Sequence, residues 1–181
     1  AALVEFTGRF RADAERYAAL AGASGDLEAL WRDRAAEVGP LVEGMRTAWV
    51  EGNPLYERME GIVAGVPSLA TYDVILDAGT SAAEDPGSAV PFDLTLPDGT
   101  VLRQPGALYN VTEGALWGTL EEGLPASTPV DLDGDGTVAF GEVLPDPGLM
   151  VAATEAFDRY ARELAAAAAR WQPTPSDALT A

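Results

Sequence analysis

Apolar residues recur at every third or fourth position over the first fifty residues. Leu3, Phe6, Phe10, Ala14, Tyr17 and Leu20 form one stripe, which predicts an amphipathic helix over 3–21. Leu27, Leu30, Trp31, Val38, Leu41, Met45 and Trp49 repeat the pattern over 26–51, where Gly39-Pro40 predicts either a kink or a break into two helices. Shorter helices are expected over 54–65 and 67–77, and the small, Pro- and Gly-rich stretch 78–91 reads as a loop. The period then changes to two. Phe92-Asp93-Leu94-Thr95-Leu96 alternates, Pro97-Asp98-Gly99 is turn chemistry and Thr100-Val101-Leu102 can return, which predicts a small β-hairpin over about 92–103. Pro105 can open a helix running to about Leu120. After an acidic loop from Glu121 to Leu144, Asp146 as N-cap and Pro147 in the first turn start a long last helix. Its seam is Leu149, Ala153, Phe157, Tyr160, Leu164, Ala168 and Trp171, and the tail 173–181 is expected to fray. The fold class is mainly α, a single-domain helical bundle over 1–181 with one hairpin and one long loop excursion.

Charge sharpens this picture. The chain has 29 acidic against 11 basic residues, all of them Arg, for a formal net charge of -18. That surface repels nucleic-acid phosphates and anionic lipid, and divalent cations are its natural counterpart; a solvated acidic coat is the plainer reading of most of these carboxylates. Without Cys, His or Lys there is no disulfide, thiolate, catalytic triad, His-ligated zinc, Walker loop or Schiff base. No run approaches the roughly 20 apolar residues of a membrane span, so direct membrane insertion is not expected. The start at Ala1 reads as either a trimmed leader or an arbitrary boundary.

The most specific motif is DLDGDGTVAFGE at 131–142, which matches a twelve-residue EF-hand-type calcium loop. Asp131, Asp133 and Asp135 stand at positions one, three and five, and Gly136 at the sharp turn at position six. Thr137 offers its carbonyl at position seven and Glu142 a bidentate carboxylate at position twelve. Ala139 at position nine leaves room for water, and Val138 at position eight is the expected apolar anchor. The plain alternative is an acidic surface turn. Pro125, Pro129, Pro145 and Pro147 flank the loop, so long helices are not expected on both sides, and the motif reads as a structural clip suited to high extracellular calcium.

Two further acidic positions lie on predicted helices. PLYERMEG at 54–61 sets Glu57 and Glu60 three apart, and PGALYNVTEGALWG at 105–118 puts Glu113 on an apolar helix. Solvated or Arg-paired carboxylates are the ordinary reading of both. The stretch RTAWVEGNPLYERMEGIVAGVPSLATYDVILDAG at 46–79 resembles the YERIE and downstream IDAR region of the imelysin-like family, which includes EfeO and EfeM. EGALWG at 113–118 resembles the end of that family's GxHxxE motif, and together these segments cover about a third of the chain. The resemblance implies an exported, periplasmic or envelope-associated helical bundle concerned with metal binding and iron uptake. Carried over, its metal-site candidates are Glu57, Glu60, Asp77 and Glu113. Asn110 stands at the motif's His position and Leu108 at its Gly position, so either the site is lost or it has become an all-oxygen site for a harder cation.

The leading expectation is therefore a non-catalytic imelysin-like metal-binding protein of the cell envelope. It would carry structural Ca2+ at 131–142 and, where the bundle carboxylates function, a second divalent or ferric ion. The alternative is a calcium-rigidified structural or interaction subunit that docks to another envelope protein. A carboxylate-based hydrolase is the third reading, and no residue set here meets the nucleophile-plus-base requirement.

Overall fold

The computed structural model describes residues 1–171, so the expected fraying of 173–181 lies outside the described residues. The chain is mainly helical. Its elements are α1 (Ala2–Ser24), α2 (Leu27–Gly65), α3 (Ala70–Asp73) running into a π-helical turn (Val74–Ala78), the hairpin strands β1 (Leu94–Thr95) and β2 (Val101–Leu102), α4 (Leu108–Trp117), the paired strands β3 (Thr128–Pro129) and β4 (Val143–Leu144), and α5 (Pro147–Arg170). Helices α1, α2, α4 and α5 pack into one core. None of the described helices is long and apolar enough to cross a membrane.

The α1 stripe buries Leu3, Phe6, Phe10, Ala14 and Tyr17 as the periodicity predicts, with Leu20 at the core's edge. Helix α2 corrects the expectation of separate helices over 26–51 and 54–65. It runs for 39 residues as two helical stretches joined across a kink at Arg34 rather than at Gly39-Pro40, and the stretch after the kink passes through both Pro40 and Pro54 without a break at 52–53. Each proline removes one backbone donor, but tertiary burial of Met45, Ala48, Gly52 and Tyr56 carries the helix through. Asp26 caps its start by accepting from the Ala29 amide at 3.1 Å.

The hairpin pairs Leu94 with Leu102 and Thr95 with Val101, burying Phe92, Leu94, Leu96 and Leu102. Helix α4 is shorter than the expected 105–120. Gly106 has φ 104°, outside helical space, and Gly118 at φ 72° ends the helix in a left-handed cap. Asp146 does cap α5, accepting from the Leu149 amide at 2.7 Å behind Pro147. Leu149, Ala153, Phe157 and Leu164 of the α5 seam are buried and Tyr160 is half-buried, whereas Ala168 and Trp171 are exposed.

Aromatic rings fill the centre. Tyr109 of α4 lies edge-on to Phe157 of α5 at 4.7 Å between centroids, and Phe6 of α1 lies edge-on to Phe157 at 5.6 Å. Helices α1 and α2 approach closely at Gly52. A Cβ added there would lie 2.5 Å from three atoms of the Phe6 ring, which is itself fully buried. Gly52→Ala is therefore expected to cost about 1–3 kcal/mol or more through overpacking. Gly61→Ala, with nothing within 4 Å of its added Cβ, is expected to gain about 0.5–1 kcal/mol of helix propensity. Thermal denaturation of both variants checks the contrast.

Candidate metal centres

Helix α2 delivers Glu57 and Glu60 to one side of the bundle, and the π-helical turn after α3 delivers Asp77. One carboxylate oxygen from each lies within 4.8 Å of the others. The wider π turn, closed by the Gly79 amide donating to the Val74 carbonyl at 3.0 Å, sets the direction of this segment. Glu57 is exposed, while Glu60 and Asp77 are half-buried. Beneath them Asp73 is buried and accepts a hydrogen bond from the Tyr56 hydroxyl at 2.6 Å.

No Arg pairs with these carboxylates. Among the described residues, none of the ion pairs within 4.0 Å involves Glu57, Glu60, Asp73 or Asp77. Arg46 is engaged elsewhere: it donates to the carbonyls of Leu116 and Gly141 and lies over the Trp117 ring. Burial pushes the Asp77 carboxyl above the ordinary range, and the charges of Glu57, Glu60 and Asp73 add to that push. Burial likewise raises Tyr56, assisted by its bond to Asp73 and by its charge, and raises Tyr109, assisted by the charges of Asp77 and Glu57. Asp158 is a useful contrast. It too is buried, but it accepts from Thr7 Oγ1 and from Arg162 Nε, both at 2.9 Å. The group around Asp77 has the acids and lacks the cation.

Glu113 does not join this group. It is exposed on α4, because the buried face of that helix runs through Leu108, Val111, Thr112, Ala115 and Leu116. Glu113 and Asn110 instead line a separate cavity of about 260 Å3 with Ser81, Glu84 and Glu121. Tyr109, the neighbour of Asn110, reaches α2, its hydroxyl donating to the Gly52 carbonyl at 3.1 Å. Asp73, Tyr56 and Tyr109 escaped the sequence reading. The four-residue step from Asp73 to Asp77 was the available signal, one turn apart on a helical segment.

The second group is the 131–142 loop. Asp131, Asp133 and Glu142 each bring a carboxylate oxygen within 4.8 Å of the other two. Asp131 accepts from the Gly134 and Gly136 amides at 2.7 and 2.9 Å, and Gly136 has the positive φ, 91°, that its place in the motif requires. Glu142 folds back to accept from the Leu132, Asp133 and Ala139 amides. Asp135 stands outside the three-acid group and accepts from the Thr137 amide and hydroxyl at 2.8 and 2.6 Å, bonds that hold its carboxyl below the ordinary range. Val138 is not an anchor. It is 54% exposed, and nearby Phe140 is 86% exposed, because no second loop packs against this one among the described residues.

As the flanking prolines suggested, two long helices do not bracket the loop. The short β3–β4 pair closes its base, Thr128 opposite Leu144 and Pro129 opposite Val143. Helix α2 holds it at both ends: the Trp31 indole donates to the Asp131 carbonyl at 2.9 Å, and Arg46 donates to the Gly141 carbonyl. Comparisons with protein-family models, curated proteins and solved structures return no match.

Both groups consist of oxygen ligands alone, a chemistry that suits hard cations. The raised pKa of Asp77 has a definite sign in the metal-free chain. Its contribution to stability is full below the ordinary value of 3.8 and is lost as pH rises through the higher folded value. Asp77→Asn is thus expected to raise the metal-free melting temperature at neutral pH and to flatten that acid-side dependence. Calorimetry across acid to neutral pH in chelator checks both effects.

Proposed function

We propose that this chain is an exported, non-catalytic, imelysin-like metal-binding protein of the cell envelope, clipped by structural calcium at 131–142. The observation that carries the reading is the meeting of Glu57, Glu60 and Asp77 within 4.8 Å, with no Arg paired to any of them among the described residues. Holding like charges together in a half-buried site is unfavourable unless a cation answers them. The ion of the bundle site is a second divalent or ferric ion, since His and Cys are absent and the ligands are oxygens. The envelope location rests on the resemblance and on the millimolar-range calcium that weak extracellular sites require.

In the loop, Asp131, Asp133 and Glu142 are already gathered, while Asp135 is held by the Thr137 amide and hydroxyl. Calcium there would tie the two ends of a long excursion that α2 already grips through Trp31 and Arg46. A second reading, a calcium-rigidified interaction subunit, is favoured by exposed Val138 and Phe140 on the same loop.

Elemental analysis of the purified protein is expected to find calcium together with a second metal. Chelation should lower the melting temperature by several degrees, since an ion at 100 times its Kd adds about 2.7 kcal/mol. Glu142→Gln should remove the calcium part of that response and leave the second metal bound. An unchanged melting temperature in chelator, with no metal found, would sink the proposal.

A further inference from the structure

The last turn of α1, the start of α2, the hairpin turn and the start of α5 meet around an open groove of about 830 Å3. Its lining is mainly apolar and includes Ala18, Leu27, Leu96, Pro97, Pro125 and Pro147. The volume lies toward the upper end of the range usual for binding sites, about 300–1,000 Å3.

Three carboxylates share the groove: Asp26, Asp98 and Asp146. Each serves its own chain turn, accepting from the Ala29, Thr100 and Leu149 amides respectively, and each keeps lone pairs beyond that bond. No Arg lines the groove, and none of the three acids joins an ion pair among the described residues. The positive ends of α2 and α5 lie at Asp26 and Asp146, but each offsets only about half a unit charge. The negative end of α1 lines the same groove, and its last turn carries no basic residue. A net negative potential therefore surrounds the apolar surface.

An occupant has to answer both features. A purely apolar body would desolvate carboxylates without pairing them, and a bare cation would leave the apolar lining in water. A second copy of this chain is repelled, since each carries a formal net charge of -18. Residues 172–181 contain no Arg and add Asp177, so the chain's own end does not bring the missing charge. We infer that the groove docks a partner protein through a segment in which aliphatic side chains are flanked by Arg or Lys. The aliphatic groups cover the apolar lining, and the cations meet Asp26, Asp98 and Asp146. This surface is independent of both candidate metal centres.

The test is a titration of the full chain with a synthetic heptapeptide, Arg-Leu-Leu-Arg-Leu-Leu-Arg, followed by amide chemical shifts. The shifts are expected to centre on Gly22, Leu27, Asp98 and Gly148, and a peptide with Ser in place of Leu should bind at least about tenfold more weakly. Asp26→Asn with Asp98→Asn and Asp146→Asn removes the three charges and keeps an acceptor at each turn, and it should weaken binding about tenfold. An added Cβ at Gly22 meets nothing within 4 Å, so Gly22→Trp can put a ring into the groove and should block the peptide. If that variant does not fold, the triple Asn variant decides. Glu5, Glu155 and Glu163 are exposed and lie outside the groove. Equal weakening when all three are changed to Gln would reduce the effect to bulk charge and overturn the inference. So would a parent that does not bind the peptide at millimolar concentration, or a parent dimer that Gly22→Trp dissolves, which would make a second copy the occupant.

Discussion

At Gly52 the backbone of α2 meets the Phe6 ring so closely that no side chain fits, and the carbonyl of the same residue receives the Tyr109 hydroxyl. Three helices are thereby registered at one point: α1 through Phe6, α2 through its backbone and α4 through Tyr109. Phe157 of α5 packs edge-on against both rings and joins the fourth. One turn further along α2, Tyr56 reaches Asp73 and Glu57 meets Glu60 and Asp77. The candidate bundle site stands directly on this junction. Its side chains inherit positions set by apolar packing, whose aromatic pairs are each worth about 0.5–1.5 kcal/mol beyond simple burial.

That inheritance explains how the fold can hold four acids together. Asp158, equally buried, is answered by Thr7 and Arg162 and links α5 to α1. Among the described residues Asp73 is answered by a neutral hydroxyl and Asp77 by no cation within ion-pair distance, so the electrostatic cost is met by the core rather than by local pairing. Arg58, between Glu57 and Glu60 in sequence, stands outside every ion pair among the described residues, because helix positions one and two apart do not face each other.

The periodic elements were legible because their burial is one-sided. The α1 stripe, the hairpin alternation and the Asp146-Pro147 helix start all follow local rules that the tertiary structure leaves intact. The joints were less legible. Pro40 and Pro54 argue locally for breaks, and only the packing of α2 along its length overrides them. For the sites, spacing placed Glu57 and Glu60 together, and the resemblance added Asp77. It also added Glu113, which fails because helix phase turns it away from the buried face of α4. The loop residues Asp131, Asp133 and Glu142 come together as their offsets imply, whereas Val138 is exposed because its usual burial comes from a paired loop that no local pattern can supply.

Helix α2 is the common support of both candidate centres. Trp31 and Arg46 hold the two ends of the loop, and Glu57 and Glu60 lie further along the same helix. From Arg46 to Glu57 the rise is about 16 Å at 1.5 Å per residue, too far for direct interaction between ions through a screened surface. Coupling would require a segment with two alternative arrangements, and the helix between the centres is continuous and locked at Gly52. The two centres are therefore better understood as separate tasks on one beam. The proposed calcium clip would keep a long excursion fastened to α2, and the aromatic junction sets the cluster's geometry independently of it.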